Sequence, residues 1–245
     1  MAIRVNYGER ARIGVLLPSG NFAAEPELNA LMPTGVSMHF TRLPLKGSTR
    51  EDLIGMTSGV EPAAILMKDA SPNLLAFHCT AVSTWDAEMD ARLCVRMMAS
   101  TGIKSITTGR ALVEALRFVD AKNVVLLTPY IDEINEREVA FLDLHDVSVA
   151  SVQGLGLRTP DQMASVSPGY WFDMALTHQR ETVDAYVISC TAIRTLPVIE
   201  EIEAATKRPV ITSNQAMAWY ALRQCGIDDQ VEGAGALFSH RLGRA

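Results

Sequence analysis

Two cysteines, Cys79 and Cys190, occupy near-copies of the same short segment. The first copy reads Ala-Phe-His-Cys-Thr-Ala and the second reads Val-Ile-Ser-Cys-Thr-Ala. In both copies an apolar run predicts a β-strand that ends at the cysteine, and the residues that follow predict a helix. Because the positive end of a helix stabilises a thiolate, we expect two cysteines with lowered pKa values.

Hydrogen-bond donors accompany both cysteines. Thr80 and Thr191 place hydroxyl groups at matched positions, and the free N–H groups up to Ala81 and Ala192 form an anion site. Such a site suits a carboxylate. Two facing copies therefore predict a pocket that holds both ends of a small dicarboxylate, or that attacks one carbon from both faces.

The turns at two other strand ends add candidates for substrate binding. Pro18-Ser19-Gly20-Asn21 is made of turn-forming residues, and the Asn21 amide is also a candidate donor to a carboxylate. Tyr130 follows another strand, either as a packing residue or as a donor. His78 precedes Cys79, but adjacent strand residues point to opposite faces. We therefore expect His78 in packing or behind the site, and not as the base for Cys79.

These residues belong to an internal repeat. A shift of 111 positions lays residues 13–18 over residues 124–129, and it also lays Cys79 over Cys190. A shift of 105 positions lays residues 106–108 over residues 211–213. The period is too long for a solenoid, whose units have about 20–50 residues. It predicts two similar lobes.

Strand and helix patterns alternate along both halves of the repeat. The predicted strands are 13–17, 37–43, 74–78, 105–108, 123–128, 148–155, 186–189 and 210–212. The predicted helices are 25–32, 50–70, 111–118, 132–144, 197–206 and 215–224. This alternation predicts an α/β fold with a parallel sheet in each lobe. We expect an N-terminal lobe of residues 1–118 completed by residues 215–245, and a second lobe of residues 119–214.

Ligands bind at the carboxyl ends of the strands in such sheets. Both cysteines and the two turns fall at these ends. If the lobes face each other about a pseudo-twofold axis, the strand ends meet in one cleft with a cysteine on each side.

Composition narrows the classes of partner. The net charge of −6 comes without a basic patch, so we expect no nucleic-acid partner. No apolar run approaches the ~20 residues of a membrane span, and the N-terminus shows no signal peptide. We expect a cytoplasmic protein with reduced thiols and no membrane partner. The histidines and cysteines lack metal-ligand spacing, and no glycine-rich nucleotide fingerprint is present, so we expect neither metal nor cofactor.

Together these motifs resemble the aspartate/glutamate racemase superfamily, and within it the branch of maleate cis-trans isomerases and arylmalonate decarboxylases. The resemblance covers nearly the whole chain and depends on the order of its landmarks. The landmarks are residues 17–21 with Glu25, 79–81, 128–130, 189–192 with Leu196-Pro197, and 233–237. It implies two flavodoxin-like lobes with pseudo-twofold symmetry, a cofactor-free site at the lobe interface and a small carboxylate substrate. We also expect a homo-oligomer.

The resemblance implies roles for the cysteines. Cys79 is the nucleophile that adds to the alkene of maleate or a related dicarboxylate, and Cys190 is the acid/base partner that assists elimination after rotation. The implied substrate-binding residues are Pro18, Asn21, Thr80, Ala81, Tyr130, Gln162, Thr191 and Ala192.

Departures from the family pattern bear on the substrate. Gln162 stands where maleate isomerases place an asparagine, and Gly20 stands where they usually have a serine. Arylmalonate decarboxylases carry glycine at the position of Cys79, which favours an isomerase here. The alternatives are a two-cysteine racemase or epimerase of an amino acid or hydantoin, an arylmalonate-type decarboxylase, and a non-enzymatic module that binds small acids.

Overall fold

Two parallel β-sheets of four strands each form the framework of the chain. The structure, a computed structural model, describes residues 5–239. The strands of this part of the chain are β1 (Ala11–Pro18), β2 (Val36–Leu43), β3 (Leu74–Phe77), β4 (Ser105–Thr107), β5 (Asn123–Thr128), β6 (Ser148–Gly154), β7 (Ala185–Ile188) and β8 (Val210–Thr212). The first sheet has the order β2-β1-β3-β4 and the second the order β6-β5-β7-β8. The two sheets have the same strand order, so the internal sequence repeat corresponds to two lobes of the same topology.

Helices connect the strands. Those of residues 5–239 are α1 (Ala24–Ala30), α2 (Arg50–Met56), α3 (Val60–Lys68), α4 (Thr80–Ser83), α5 (Met89–Thr101), α6 (Thr108–Phe118), α7 (Asp132–Asp143), α8 (Pro160–Ser165), α9 (Pro168–Thr177), α10 (Ile199–Thr206), α11 (Ser213–Gln224) and α12 (Ala236–Ser239), with 3₁₀ turns at Thr57–Gly59 and Leu196–Val198. None of them has the length and apolar character that crossing a membrane requires.

The predicted α/β fold with two similar lobes is confirmed. Each predicted strand lies within two residues of its observed bounds. The single helix predicted over 50–70 is wrong, because the chain tightens into a 3₁₀ turn at Thr57–Gly59 between α2 and α3. The helix expected after Cys79 is α4, whereas sequence patterns missed α5, α8, α9 and α12.

Side chains of each central strand alternate between two apolar layers. Ile13, Val15 and Leu17 of β1 pack in one cluster with α1, α6 and α11, while Leu16 faces the other. Both clusters contain residues from both sheets. The lobes therefore share their core, and the strand ends that carry the two cysteines are fixed relative to each other.

The C-terminal segment contacts both lobes. Helix α11 packs against α6 of the first lobe, whereas α12 contacts β8 of the second. The assignment of residues 215–245 to the N-terminal lobe therefore stays a prediction, and residues 240–245, with His240, lie outside the described part of the chain.

Candidate active site

The carboxyl ends of both sheets surround one small cavity. Its lining residues are Pro18, Leu45, Gly47, Ser48, Leu53, Cys79, Ala81, Tyr130, Pro160, Met163, Cys190, Thr191 and Ala192. The volume is about 30 Å³, which leaves room for only one or two water molecules. The structure thus brings both cysteines to one cavity between the lobes, in a nearly closed state.

Cys79 ends the β3 segment and caps α4. Its backbone is extended, and the N–H groups of Ala81 and Val82 point at its sulfur and favour the thiolate. Burial has the larger effect and raises the pKa of the Cys79 thiol to about 12. The expectation of a lowered pKa is therefore wrong for the closed cavity, because desolvation outweighs the donors of a four-residue helix.

Cys190 occupies the equivalent place in the second lobe without a helix behind it. The chain continues in turns, and the expected helix begins only at the 3₁₀ turn Leu196–Val198. The Ala192 N–H donates to the Cys190 sulfur over 3.2 Å. Burial again has the largest effect and raises the pKa of the Cys190 thiol to about 12.

Tyr130 supplies a hydroxyl group to the Cys190 side of the cavity. Its backbone N–H donates to the Thr128 hydroxyl over 3.1 Å, which fixes the turn after β5. Burial raises the pKa of Tyr130 well above its usual value, and the nearby Cys190 adds to the shift. The phenol therefore stays protonated and serves as a donor, which also favours the Cys190 thiolate.

Asn21 and Thr80 lie behind the cavity wall. The Asn21 amide donates to the Thr191 hydroxyl over 3.1 Å, and its oxygen accepts from the N–H groups of Ala23 and Ala24. The Thr80 hydroxyl pairs with that of Ser213 over 2.9 Å. Both contacts cross from one lobe to the other. In this closed state these side chains hold the cavity wall together, while Thr191 itself lines the cavity.

Gln162 is not brought into the cavity. Its side-chain oxygen accepts from the N–H groups of Arg158 and Thr159 and completes the cap of α8. The neighbouring Met163 lines the cavity instead. The assignment of Gln162 to substrate binding therefore finds no support in this geometry, because its amide is already used by the helix cap.

A buried polar network behind the cavity was missed by the sequence patterns. Glu27 of α1 accepts from the N–H groups of Thr195 and Leu196 over 2.6 and 2.8 Å and from the Asn214 amide over 2.7 Å. His78 forms a 2.9 Å hydrogen bond to the Asn214 oxygen. The signal that could have found Glu27 is the 111-residue shift, which lays it over another buried glutamate, Glu138.

His78 takes part in this network as a neutral ring. Burial lowers the pKa of His78 to about 4. The Asn214 amide nitrogen donates to Glu27, so the Asn214 oxygen is the atom that faces His78. An amide oxygen only accepts, which means that His78 carries its proton on Nε2 and donates it to this oxygen. His78 has no hydrogen bond to the Cys79 thiol, in line with the expectation that it lies behind the site.

A loop from each lobe covers the cavity. Leu45, Gly47 and Ser48 come from the first lobe, and Pro160 with Met163 comes from the second. The Ser48 hydroxyl donates to the Arg158 carbonyl over 2.8 Å and joins the two loops. These two loops are therefore the segments that cover both thiols.

A larger open groove lies elsewhere. It measures about 820 Å³ and runs between α7 and β6, lined by acidic side chains such as Asp132, Glu136 and Asp143 and by no thiol. Among residues 5–239, no group of three or more His, Cys, Asp or Glu side chains is placed to hold a metal ion. The polar groups that the two-cysteine cavity offers are its two thiols, the Tyr130 phenol, the Ser48 and Thr191 hydroxyls and backbone donors.

Known proteins share this architecture. A maleate isomerase of Pseudomonas putida strain KT2440 is 28% identical to the chain over 93% of its length and 97% of the relative. The structure of a maleate isomerase of Pseudomonas putida S16 with maleate matches with a TM-score of 0.90 and 25% identity, over 94% of this chain and 97% of that one.

One similar structure bears on the cysteines. A Nocardia farcinica maleate cis-trans isomerase variant, which contains a covalently bound succinylcysteine intermediate, matches with a TM-score of 0.88 and 26% identity. The match covers 94% of this chain and 98% of that one. The sequence model of the arylmalonate decarboxylase family matches residues 13–238. The chain belongs to the arylmalonate decarboxylase family, in the branch that contains the maleate isomerases.

Proposed function

We propose that the protein is a cofactor-independent cis-trans isomerase of maleate or a related small unsaturated dicarboxylate. The observation that carries the proposal is the placement of Cys79 and Cys190 at equivalent strand ends around one cavity. A decarboxylase of this family needs only the second cysteine, whereas addition to an alkene with protonation of the adjacent carbon uses both.

The proposed reaction begins at Cys79. Its thiolate forms a bond to one alkene carbon, and the electron pair of the double bond moves to the neighbouring carbon and its carboxylate. The Cys190 thiol gives its proton to that carbon and becomes a thiolate. The bond between the carbons is now single and rotates.

Elimination then restores both thiols to their starting forms. The Cys190 thiolate takes a proton from the carbon, the double bond re-forms in the trans geometry, and the sulfur–carbon bond to Cys79 breaks. The scheme consumes no oxidant, reductant or cofactor. Opening of the cavity to water reduces the desolvation of Cys79, so its thiol releases its proton to bulk water before the substrate binds.

Neutral donors would hold the two carboxylates. Within the described residues, the cavity lining contains no Lys, Arg or His. Tyr130, Thr191, Ala81 and Ala192 line this space, and their hydroxyl and backbone N–H groups are the candidate donors. Neutral donors of this kind bind an anion without placing a cation beside the nucleophile. A cation there would stabilise the thiolate before it reacts.

The test is turnover of maleate followed by ¹H NMR in D₂O. We expect fumarate to form with the wild-type chain and not with Cys79→Ser or Cys190→Ser, while Cys94→Ser, a change outside the cavity, keeps its activity. Full activity in either cavity variant would refute the two-cysteine scheme.

The same spectra separate the alternatives. Deuterium at Cα of an added amino acid or hydantoin would identify a racemase, in which one thiolate removes the proton and the other thiol returns one. Release of CO₂ from a substituted malonate would identify a decarboxylase. If small acids bind and none of them is turned over, the protein is a non-enzymatic module that binds small acids.

The setting of the activity is also proposed. We infer a cytoplasmic enzyme that works as a homo-oligomer. Size-exclusion chromatography with light scattering measures the assembly directly, and a monomer at micromolar concentration would refute that part.

A further inference from the structure

Glu138 is a buried glutamate that the proposed reaction does not use. It lies on α7, is fully buried, and neither of its carboxyl oxygens has a hydrogen-bond partner. A buried polar group without a partner is costly, and a buried unpaired carboxylate is far more so. Such a group calls for a physical explanation.

The internal repeat provides a comparison. The 111-residue shift lays Glu138 over Glu27, which is also buried in the first helix of its lobe. Glu27 differs in that it accepts three hydrogen bonds, from the N–H groups of Thr195 and Leu196 and from the Asn214 amide. The two glutamates thus occupy equivalent places with opposite degrees of hydrogen bonding.

Two differences between the lobes remove the donors from Glu138. The 105-residue shift lays Gly109 over Asn214, the second residue of α11, so the amide donor is missing. A side chain there has little room, because a Cβ atom at Gly109 would lie 3.1 Å from Phe141 and 3.2 Å from the Ser83 carbonyl.

The backbone donors are missing for a different reason. The 111-residue shift lays Thr84 and Trp85 over Thr195 and Leu196. Their N–H groups already donate to the carbonyls of Thr80 and Val82 over 3.0 and 3.2 Å, in the turn that α4 forms after Cys79. The turns after Cys190 form no such helix, which leaves the N–H groups there free for Glu27.

The groups that face Glu138 come from the Cys190 side of the cavity. It interacts electrostatically with Tyr130, at the end of β5, and with Cys190, at the end of β7. The Ser189 hydroxyl is near enough to favour the carboxylate, although it does not reach hydrogen-bond geometry with either oxygen. Burial prevails over this contact and raises the pKa of Glu138 to about 7.

His145 lies in the turn that follows α7. It interacts electrostatically with Arg110 and Asp90, which form an ion pair over 3.4 Å. Burial lowers the pKa of His145, so the ring is not a cation that would compensate a carboxylate at Glu138.

We propose that Glu138 is a positioning residue for Cys190. Its neutral carboxylic acid keeps the Cys190 side of the cavity uncharged, and its ionisation prevents Cys190 from acting there. The inference deepens and rests on the proposed isomerase function. An ionised Glu138 would repel a bound dicarboxylate and oppose the thiolate that Cys190 becomes in the reaction. A buried charge that interacts with a reacting group changes such steps by roughly 10- to 100-fold.

The first test needs no substrate. The side-chain carboxyl carbons of glutamate are labelled with ¹³C, and the resonance lost in Glu138→Gln assigns Glu138. We expect its titration midpoint near pH 7. The exposed Glu136 of the same helix serves as the matched control. A midpoint for Glu138 in the ordinary range of glutamate, ~4.3, would overturn the proposal.

The second test is the pH profile of kcat/KM for maleate, which reports groups of the free enzyme. Above the Glu138 midpoint, we expect kcat/KM of the wild type and of Glu136→Gln to fall by up to about tenfold per pH unit. This alkaline limb of the profile should be absent from Glu138→Gln. Persistence of the limb in Glu138→Gln overturns the proposal.

A third readout separates this inference from the proposed function. If maleate is not turned over, the isomerase proposal fails, and the alkylation rate of Cys190 then decides the role of Glu138. We expect Glu138→Gln to alkylate roughly tenfold faster than wild type about two pH units above the Glu138 midpoint, and equally fast below it. Equal rates at both values overturn the proposal.

A second variant covers the case in which Glu138→Gln does not fold. Ser189→Ala removes the hydroxyl that favours the carboxylate, so the Glu138 midpoint and the alkaline limb should both move to higher pH. An unchanged midpoint and limb would count against the proposal.

Discussion

The Glu27 carboxylate of the first lobe accepts a 2.7 Å hydrogen bond from the side chain of Asn214, in the first turn of α11. The oxygen of the same amide is hydrogen-bonded to His78, the residue before Cys79. One amide thus joins a carboxylate and a neutral imidazole across the lobe interface, directly behind both cysteine loops.

Asn214→Ala should destabilise the protein. The change leaves Glu27 with one unpaired oxygen and His78 with an unpaired Nε2 proton, and each buried unsatisfied group costs about 1–3 kcal/mol. The free energy of unfolding in urea measures the loss. Asn29→Ala, at an exposed position on α1, is the control and should change it by less than about 1 kcal/mol. Equal effects of the two substitutions would show that the amide bridge contributes nothing.

Tyr130→Phe should lower kcat and leave the fold intact. The phenol stays protonated at neutral pH and stands beside Cys190, where it donates to charge that develops during the reaction. Loss of one such donor costs about 10²-fold in kcat. Steady-state kinetics with maleate measure the effect, and Tyr170→Phe, at an exposed position on α9, is the matched control. A wild-type kcat in Tyr130→Phe would remove the tyrosine from the site.

Ser48→Ala should make the cavity cysteines more accessible. The hydroxyl of Ser48 joins the two covering loops through the Arg158 carbonyl, and loss of this exposed bond weakens the closed state by about 1 kcal/mol. Alkylation of Cys79 by iodoacetamide should accelerate about fivefold, because reaction requires opening. Ser58→Ala, whose hydroxyl bonds only within its own turn, is the control. Unaltered alkylation in Ser48→Ala would mean that the loops are held by other contacts.

Glu138→Gln should change how stability depends on pH. Burial raises the pKa of Glu138 from 4.5 to about 7, so its stabilising contribution is complete below pH 4.5 and is lost as the pH rises towards 7. Relative to wild type, the variant should therefore gain on the order of 1 kcal/mol per pH unit across this range. His78 titrates in the opposite sense over much of the same range, because its pKa is lowered from 6.5 to about 4.

His78 is present in both proteins, so its contribution to the pH dependence of stability cancels when Glu138→Gln is compared with wild type. Urea unfolding at a series of pH values gives the difference directly. Glu136→Gln, on the exposed side of the same helix, should follow the wild-type curve. A constant difference between Glu138→Gln and wild type would show that Glu138 titrates normally.

The strands were predictable because a short apolar run bounded by turn residues fits few structures other than a buried strand.

Helix α5 was not predicted. Its apolar positions at Met89, Leu93 and Met97 are interleaved with charged residues that obscure the helical periodicity. Helices α8 and α9 depend on their caps, in which Thr159 and Ser167 precede a proline. Such short elements are specified by capping, and an apolar pattern carries little of that information.

The site was predicted in its cysteines and in its location between the lobes, because the repeat relates Cys79 to Cys190. The direction of their pKa shifts could not be read from the chain. It depends on how completely loops distant in sequence, such as those of Ser48 and Met163, cover the thiols. The role of Gln162 in substrate binding stays a prediction, and the use of its side-chain oxygen in a helix cap is visible only in three dimensions.

The polar bonds between the lobes restrict how the molecule can open. Asn21 to Thr191, Thr80 to Ser213 and Glu27 to Asn214 all span the interface at the cavity wall, and the apolar clusters on both sides of the sheets are shared. A hinge motion would have to break these bonds together. We therefore expect substrate to enter by local movement of the two loops that cover the cavity, with little change in the placement of the two sulfur atoms.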